Sequence, residues 1–445
     1  MMTKDQVLDI LKNALQASDG DQTEAVLLTE NEGLTRFANS VIHQNTLQED
    51  ATLIVRVVKN KKIGIASSNI LLKEEVEKTV KRASQIASLS PPNQEFVSLP
   101  SGKPLPQIEG FVERTAKTTP EERAEGVRKL VEMARPHGIK AAGAFSTSVL
   151  QVGVANTLGV EAFFESTSAS FSTVLLSSTS AGYADRESRD VSSINAEEIA
   201  EEAIKRTLDG QNPRQAEVKE MEAILLPYAV SEMFDYLAYM GLGATSFQEG
   251  RSFMNEARGK RVVSEKITLY DDALDPRGFS MPFDFEGQPK KKVFFFQEGI
   301  AKDVVYDSFT AFKEGKESTG HALPQPNSIG PLPLHLVLKT GEASVEEMIK
   351  DTRDGVLITR FWYVRAVHPK LTVITGMTRD GTFKIENGKI VYPLCNMRFT
   401  ASILETLAGT EMVGKEAKLE RGFFGGNLVP ALKVRSFRFT GQTTF

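Results

Sequence analysis

Glu232 and Asp235 stand one helical turn apart in the stretch PYAVSEMFDYLAYM, Pro227 to Met240, directly after the apolar run EAILL. Carboxylates at that spacing lie on one side of a helix, where one could donate a proton and the other accept it. Acid–base chemistry of that kind normally also draws on a histidine, an arginine or a metal, and none lies nearby in the sequence. Asp235 is therefore a weak catalytic candidate, and a wet polar face of an ordinary amphipathic helix is the plainer reading of the pair.

Other chemistry-bearing patterns fail on spacing. The five histidines, His43, His137, His321, His335 and His368, never fall three to five residues apart, so no helix-borne zinc pair is written in the chain. The segment from Gly409 to Lys415 matches most of a phosphate-binding loop, but Glu416 takes the place of the hydroxyl that holds magnesium, and Glu411 repels phosphate. Gly278-Phe-Ser280 lacks the second glycine of a nucleophile elbow. Cys395 sits in the apolar setting IVYPLCNMRF, which suits a buried, inert thiol.

The elements that must carry these residues can be read from periodicity. Pro227 suits a first helical position, and no helix breaker follows as far as Met240. Steps of about 100° gather Val230, Met233, Phe234 and Leu237 on one inward stripe, and put Glu232, Asp235, Tyr236 and Tyr239 on an opposite face expected to be exposed. At the N-terminus, Val7, Leu8, Leu11 and Leu15 at helical spacing predict a docked helix rather than a signal peptide. Strands are predicted for EAVLLTE, LTRFANSVIHQ, DATLIVRVV and, after the turn at Lys59-Asn60-Lys61, KIGIASS, with a helix in LKEEVEKTVKRASQIA. SLSPPNQEFVSLPSGKPLPQIEG, with five prolines, reads as a connection, and Thr119-Pro120-Glu121-Glu122 opens the next helix. LQVGVANTLGVEAFF and AEEIAEEAIKRT then echo LTRFANSVIHQ and KEEVEKTVKRA, which predicts a diverged repeat.

The fold class expected is α+β, with N-terminal layered α/β units at 1–115 and 116–215 and a strand-dominated unit at 216–445. A net charge of −5 with no basic stripe argues against nucleic acid as a main partner. Apolar runs are too short to span a bilayer, so no membrane is expected. With a single cysteine, the expected location is the cytoplasm.

The second half carries a series of phrases in fixed order: FDFEG, QEG at Gln297 to Gly299, DSFTAFKEGKESTGHA, GEASVEEMIKDTRDGVLITRFWY and FKIENGKIVYPLCNMRF. With RFANSVIHQ and VRVVKNKKIGIASSN in the first half, they resemble the TldD/PmbA family, first described as modulators of DNA gyrase and as peptide-antibiotic maturation factors. The resemblance implies a cytoplasmic metalloprotease assembled from two related subunits, only one of which, the TldD type, carries zinc. Its metal helix bears His-Glu-x-x-x-His, and a cysteine near the C-terminus supplies a third ligand.

Laid on this sequence, the metal helix reads Ser231-Glu232-Met233-Phe234-Asp235-Tyr236, with the glutamate kept and both histidines gone. FFGGNLVPAL stands where the cysteine is expected, and Cys395 does not match that position. The resemblance therefore implies a PmbA (TldE)-type subunit with no metal of its own. Its expected partners are a zinc-bearing TldD-type paralogue and a peptide substrate. Two alternatives stand beside it. One is a stand-alone metal-dependent hydrolase using Glu232, Asp235 and His321. The other is a peptide-binding or scaffold homodimer.

Overall fold

The computed structural model describes residues 1–423 and 425–443. Helix α1 (Lys4–Gln16) opens the chain under a reciprocal cap in which Thr3 accepts from the Gln6 backbone and Gln6 returns the bond. Strands β1 (Gln22–Ala38), β2 (Val41–Lys59) and β3 (Lys62–Ser68) follow, then helix α2 (Lys73–Leu89). The proline-rich connection forms no helix or strand up to the short α3 (Glu113–Ala116), but it buries Phe96 and Leu99 against Val58. Helix α4 (Pro120–Ala134) starts as expected, with Thr119 and Glu122 capping each other and Pro120 in the first position. Strands β4 (Lys140–Asn156), β5 (Glu161–Leu176) and β6 (Ala181–Ser188) and helix α5 (Ala196–Asp209) complete this part.

These six strands form one sheet in the order β3-β2-β1-β4-β5-β6. Both halves run helix, three strands, helix, and β1 meets β4 antiparallel at the centre, from Glu24 opposite Asn156 to Phe37 opposite Gly143. The same device joins strand to helix in each half. A Cβ on Gly64 of β3 would lie 2.0 Å from the Ala83 carbonyl oxygen of α2, and one on Gly182 of β6 would lie 2.3 Å from the Ala203 carbonyl oxygen of α5. Both glycines let a helix backbone approach the sheet closely.

One strand expectation needs correcting. LTRFANSVIHQ is not a single strand: Asn39 and Ser40, at φ of 50° and 63°, form a tight hairpin turn, and LTRFA continues EAVLLTE to make the whole of β1. Two consecutive left-handed residues match the twist of a hairpin, and Asn tolerates that region better than most side chains.

Strand β7 (Glu220–Leu225) leads into helix α6 (Pro227–Leu237). The strands after it are β8 (Leu269–Asp271), β9 (Val293–Gln297), β10 (Ile300–Ala301), β11 (His335–Leu338), β12 (Asp354–His368), β13 (Val373–Glu386), β14 (Lys389–Pro393), β15 (Met397–Ser402), β16 (Thr410–Arg421) and β17 (Gly426–Gln442). With β7 they make an eleven-stranded sheet. Its core closes around Phe361, Phe399 and Phe437, whose ring centroids are 4.4 to 5.6 Å apart. SVEEMIKDT and SILETLAG are helical at Val345–Asp351 and Ile403–Ala408. The segment resembling a phosphate loop is strand from Thr410 onward, and Glu411 pairs with Lys433 and Arg435. Among the described residues, no helix is long and apolar enough to cross a membrane.

Replacing Gly64 or Gly182 by alanine should cost about 1–3 kcal/mol, because the new methyl meets helix backbone rather than a movable side chain. Urea unfolding of the two variants measures it, and the losses should be similar because the two contacts are alike.

Candidate functional site

Helix α6 directly follows β7, and Leu226 and Pro227 make the junction. Its inward stripe is as expected: Val230, Met233, Phe234 and Leu237 are all buried. The opposite face is not the wet surface expected for it. Asp235 is only 8% exposed, Glu232 and Tyr236 are half-buried, and only Tyr239 stands open, at the start of a wider π-type turn over Ala238–Leu242. The reason is that two irregular segments press against this face and need hydrogen-bond partners.

The first segment is the turn between β16 and β17. Asp235 Oδ2 accepts the backbone N–H of Phe423 at 2.6 Å, and its Oδ1 accepts from Asn427 Nδ2 at 2.8 Å. The same amide nitrogen donates to Ser231 Oγ at 2.9 Å. The approach is close enough that a Cβ on Gly422 would lie 2.4 Å from Asp235 Oδ1. Phe424, part of the FFGGNLVPAL stretch, lies outside the described residues.

The second segment is a bulge in β12. Its register against β13 shifts between Trp362 and Arg365, and Tyr363 adopts a left-handed φ of 56°. Val364, next in the chain, is held at both ends of its backbone: its N–H donates to the Glu232 carboxylate, and its carbonyl accepts the Tyr236 hydroxyl. Ser231 and Tyr236 thus reach opposite flanks of the helix, Ser231 toward β17 and Tyr236 toward β12. Side chains five residues apart on a regular helix diverge by about 140°. The π-type turn that could alter this begins only at Ala238, so the two hydroxyls do not converge.

Burial sets the electrostatics. The Glu232 carboxyl is pushed up to about 7, first by desolvation and then by Asp235, against the pull of Arg360. Asp235 is also raised by burial, with the Phe423 N–H and Asn427 opposing. Glu232 is thus a half-accessible acid that titrates near neutral pH. Asp235 has a bonded partner on each oxygen. His321, the third residue of the hydrolase alternative, is not part of this arrangement. It is fully buried elsewhere, bonded to Asp271 at 3.0 Å and Thr319 at 2.9 Å.

Sequence reasoning missed the charged groups around the helix. Arg360 pairs with Asp380, Nε to Oδ2 at 2.6 Å, and its guanidinium lies 4.1 Å from the centre of the Tyr183 ring. Asp185 accepts from Tyr183 at 2.6 Å and from Lys418 at 2.7 Å, and Glu187 accepts from Arg421 at 3.1 Å. These contacts bind β6 of the first sheet to β16 of the second. The only signal was an alternation of charges, Asp185 with Glu187 and Lys418 with Glu420, on what could be read as strand faces. A cavity of about 500 Å³ opens where α6 begins, lined by Tyr228, Lys418, Arg186, Glu202 and Glu346. Among the described residues, no group of three or more His, Cys, Asp or Glu side chains is placed to hold a metal ion.

A six-stranded antiparallel sheet and an eleven-stranded mixed sheet, the second carrying α6, correspond in their parts to three family models. Residues 24–87 match PmbA/TldA metallopeptidase domain 1, residues 113–211 its central domain and residues 218–441 its C-terminal domain. The chain belongs to the PmbA/TldD family. It is 22% identical to the metalloprotease PmbA of Escherichia coli O157:H7, over 95% of this chain and 94% of that one. A metalloprotease of Methanothermobacter thermautotrophicus is 30% identical, but the match spans only 41% of this chain and 40% of the relative. In three dimensions the chain superposes on TldE from Thermococcus kodakarensis with a TM-score of 0.90 at 22% identity, covering 98% of this chain and 100% of that one. A Thermotoga maritima protein whose name refers to modulation of DNA gyrase gives 0.85 at 21% identity, covering 98% and 99%.

Asp235→Ala should destabilise the protein by about 1–3 kcal/mol, since it strips partners from the buried Asn427 amide and from the part-buried Phe423 N–H. Glu232→Gln should act differently with pH. A carboxyl raised to about 7 favours folding in its protonated form, and that stability is lost as pH rises from the ordinary carboxylate range through about 7. Wild type should therefore lose stability over that interval, while Glu232→Gln loses less. Denaturant midpoints at pH 5 and pH 8 compare the two.

Proposed function

We propose that this chain is a non-catalytic subunit of a TldD/PmbA-type metalloprotease complex, paired with a zinc-bearing TldD-type paralogue and acting on peptides or unfolded proteins. On this reading Ser231, Glu232 and Tyr236 occupy the positions of the paralogue's metal helix. Zinc sites are built from imidazole nitrogen, thiolate or carboxylate. Here positions 231 and 236 offer neutral hydroxyls that diverge, both Asp235 oxygens are bonded within the chain, and FFGGNLVPAL contains no thiol. That donor set does not suit the metal, so no catalytic step is assigned to this chain.

The observation that carries the reading is the use of the helix's polar side chains. Ser231, Glu232, Asp235 and Tyr236 each bond inside the chain, fixing the two segments that border the helix. A chain with the family's sheets and a helix committed to structure is suited to shaping a shared cleft and steadying an active partner. The names of its relatives, among them TldE and PmbA, support the pairing.

Mixing the protein with its cognate TldD-type paralogue should give a stable complex by light scattering, and unfolded peptide should be cleaved only when both are present. Chelation should abolish cleavage, and Glu232→Gln in this chain should leave it largely intact. The purified chain alone should hold no stoichiometric zinc by elemental analysis. Full activity of the paralogue alone, or failure to associate, would reject the subunit reading in favour of an independent peptide-binding or scaffold homodimer.

A further inference from the structure

The FDFEG phrase has no part in the helix site, yet it forms a densely charged seam in the molecule. Phe283 is fully buried against Val26, Ile54 and Phe164 of the first sheet, and Gly287, at φ 69°, sits so close to the β4–β5 turn that a Cβ would meet Val160 at 2.4 Å. Arg56 of β2 reaches across this contact. Its Nη2 donates to Glu24 of β1 at 2.9 Å and to Glu286 of the FDFEG turn at 3.1 Å. The second oxygen of Glu286 accepts the Ser308 N–H at 3.0 Å.

Further carboxyls crowd the same spot. Asp284 accepts the N–H groups of Glu286, Gln288 and Ala322, each at 2.9 Å, and Asp307 accepts that of Thr310 at 2.8 Å. Behind them Lys290 lies between Asp284 and Asp271, and Asp271 holds His321 and the His335 N–H. All of these ionisable groups are buried. Asp271 is held well below the usual carboxylate range, against burial, by its bond to His321 and by Lys290, itself pushed down by burial, so among the described residues Glu24, Glu286, Asp284 and Asp307 are left to share Arg56. His321 and His335 are pushed down by burial and stay neutral. A dry interior does not tolerate such an excess of negative charge, so the seam must hold protons.

We propose that the FDFEG turn is a proton-operated latch between the first sheet and the C-terminal part. Arg56 ties Glu24 to Glu286, and protons carried by the surrounding carboxyl groups keep the tie closed. Geometry supplies the tie, and charge balance supplies its dependence on protons. In agreement, Glu24 is pushed up to about 7 by burial and by Glu286, against Arg56. Asp284 is pushed up to about 7 by burial and Glu286, and Asp307 is raised by the same two causes. Raised carboxyls hold their protons in the closed state, so the latch is tight below about pH 7 and loosens as pH rises through it.

Hydrogen exchange of the full-length protein at pH 6 and pH 8, corrected for the intrinsic rate, tests the latch without any activity assay. Protection of peptides covering 52–58 and 281–288 should fall together by on the order of tenfold between the two pH values, the factor that one unit of linkage gives. Protection in α4 should fall less than in either of these segments. Glu24→Gln and Asp284→Asn should each shrink the fall. Protection of both segments independent of pH in wild type overturns the proposal, as does an undiminished fall in both variants. If a variant fails to fold, the wild-type comparison alone decides.

Discussion

The C-terminal architecture depends on one requirement: two non-repetitive segments pack against α6, and the backbone groups they turn toward it must be hydrogen-bonded there. Neither the β12 bulge nor the β16–β17 turn can meet that need from a neighbouring strand. The helix meets it with side chains, Glu232 and Tyr236 on one flank, Ser231 and Asp235 on the other. An unpaired buried amide or carboxyl costs about 1–3 kcal/mol, so removing any of these partners is felt well beyond its own position. Gly422 belongs to the same constraint, because only hydrogen fits in front of Asp235 at that distance.

The first sheet solves a different problem. Helices cover one face with apolar clusters around Leu27 and Val55 in one half and around Phe145 and Phe171 in the other. The second face is apolar only where it meets Phe283, and it turns polar toward Ser148, Ser168 and Ser170, whose hydroxyls bond across strands or to Glu187. Strand β5, rich in Ser and Thr, is therefore a strand with two chemical surfaces, and its alternation keeps each on its own side of the sheet. Where the polar surface reaches β6, it provides the carboxylates that bind Lys418 and Arg421.

Much of this was legible from periodicity alone. The cap at Thr119, the inward stripe of α6 and most strands of the first sheet follow from local rules that tertiary contacts did not override. The turn at Asn39-Ser40 was missed because apolar residues flank it on both sides, which hides a break in a strand pattern. The polar side of α6 was misjudged for a more basic reason. Its residues are polar because they serve backbone groups some 130 and 190 positions away in the chain, and no window of sequence reports such a partner. The FDFEG seam was similarly opaque, since Glu24 and Arg56 face each other through the β1–β2 register, but Glu286 joins them only through the packing of a distant turn against that sheet.

This distinction bears on how the glutamate is understood. In a metal helix, glutamate activates a metal-bound water, and a helix without ligands offers no such water. Glu232 nevertheless has a use that is independent of metal, because its carboxylate accepts the Val364 N–H beside a left-handed Tyr363. A non-glycine residue in that region carries strain of about 1–3 kcal/mol, which surrounding bonds must offset. Tyr236 completes the pair by donating to the same residue's carbonyl, a bond that the aromatic hydroxyl reaches from its half-buried place on the helix. The presence of Glu232 is therefore no evidence of residual hydrolysis. Its role can be stated fully in terms of what it holds.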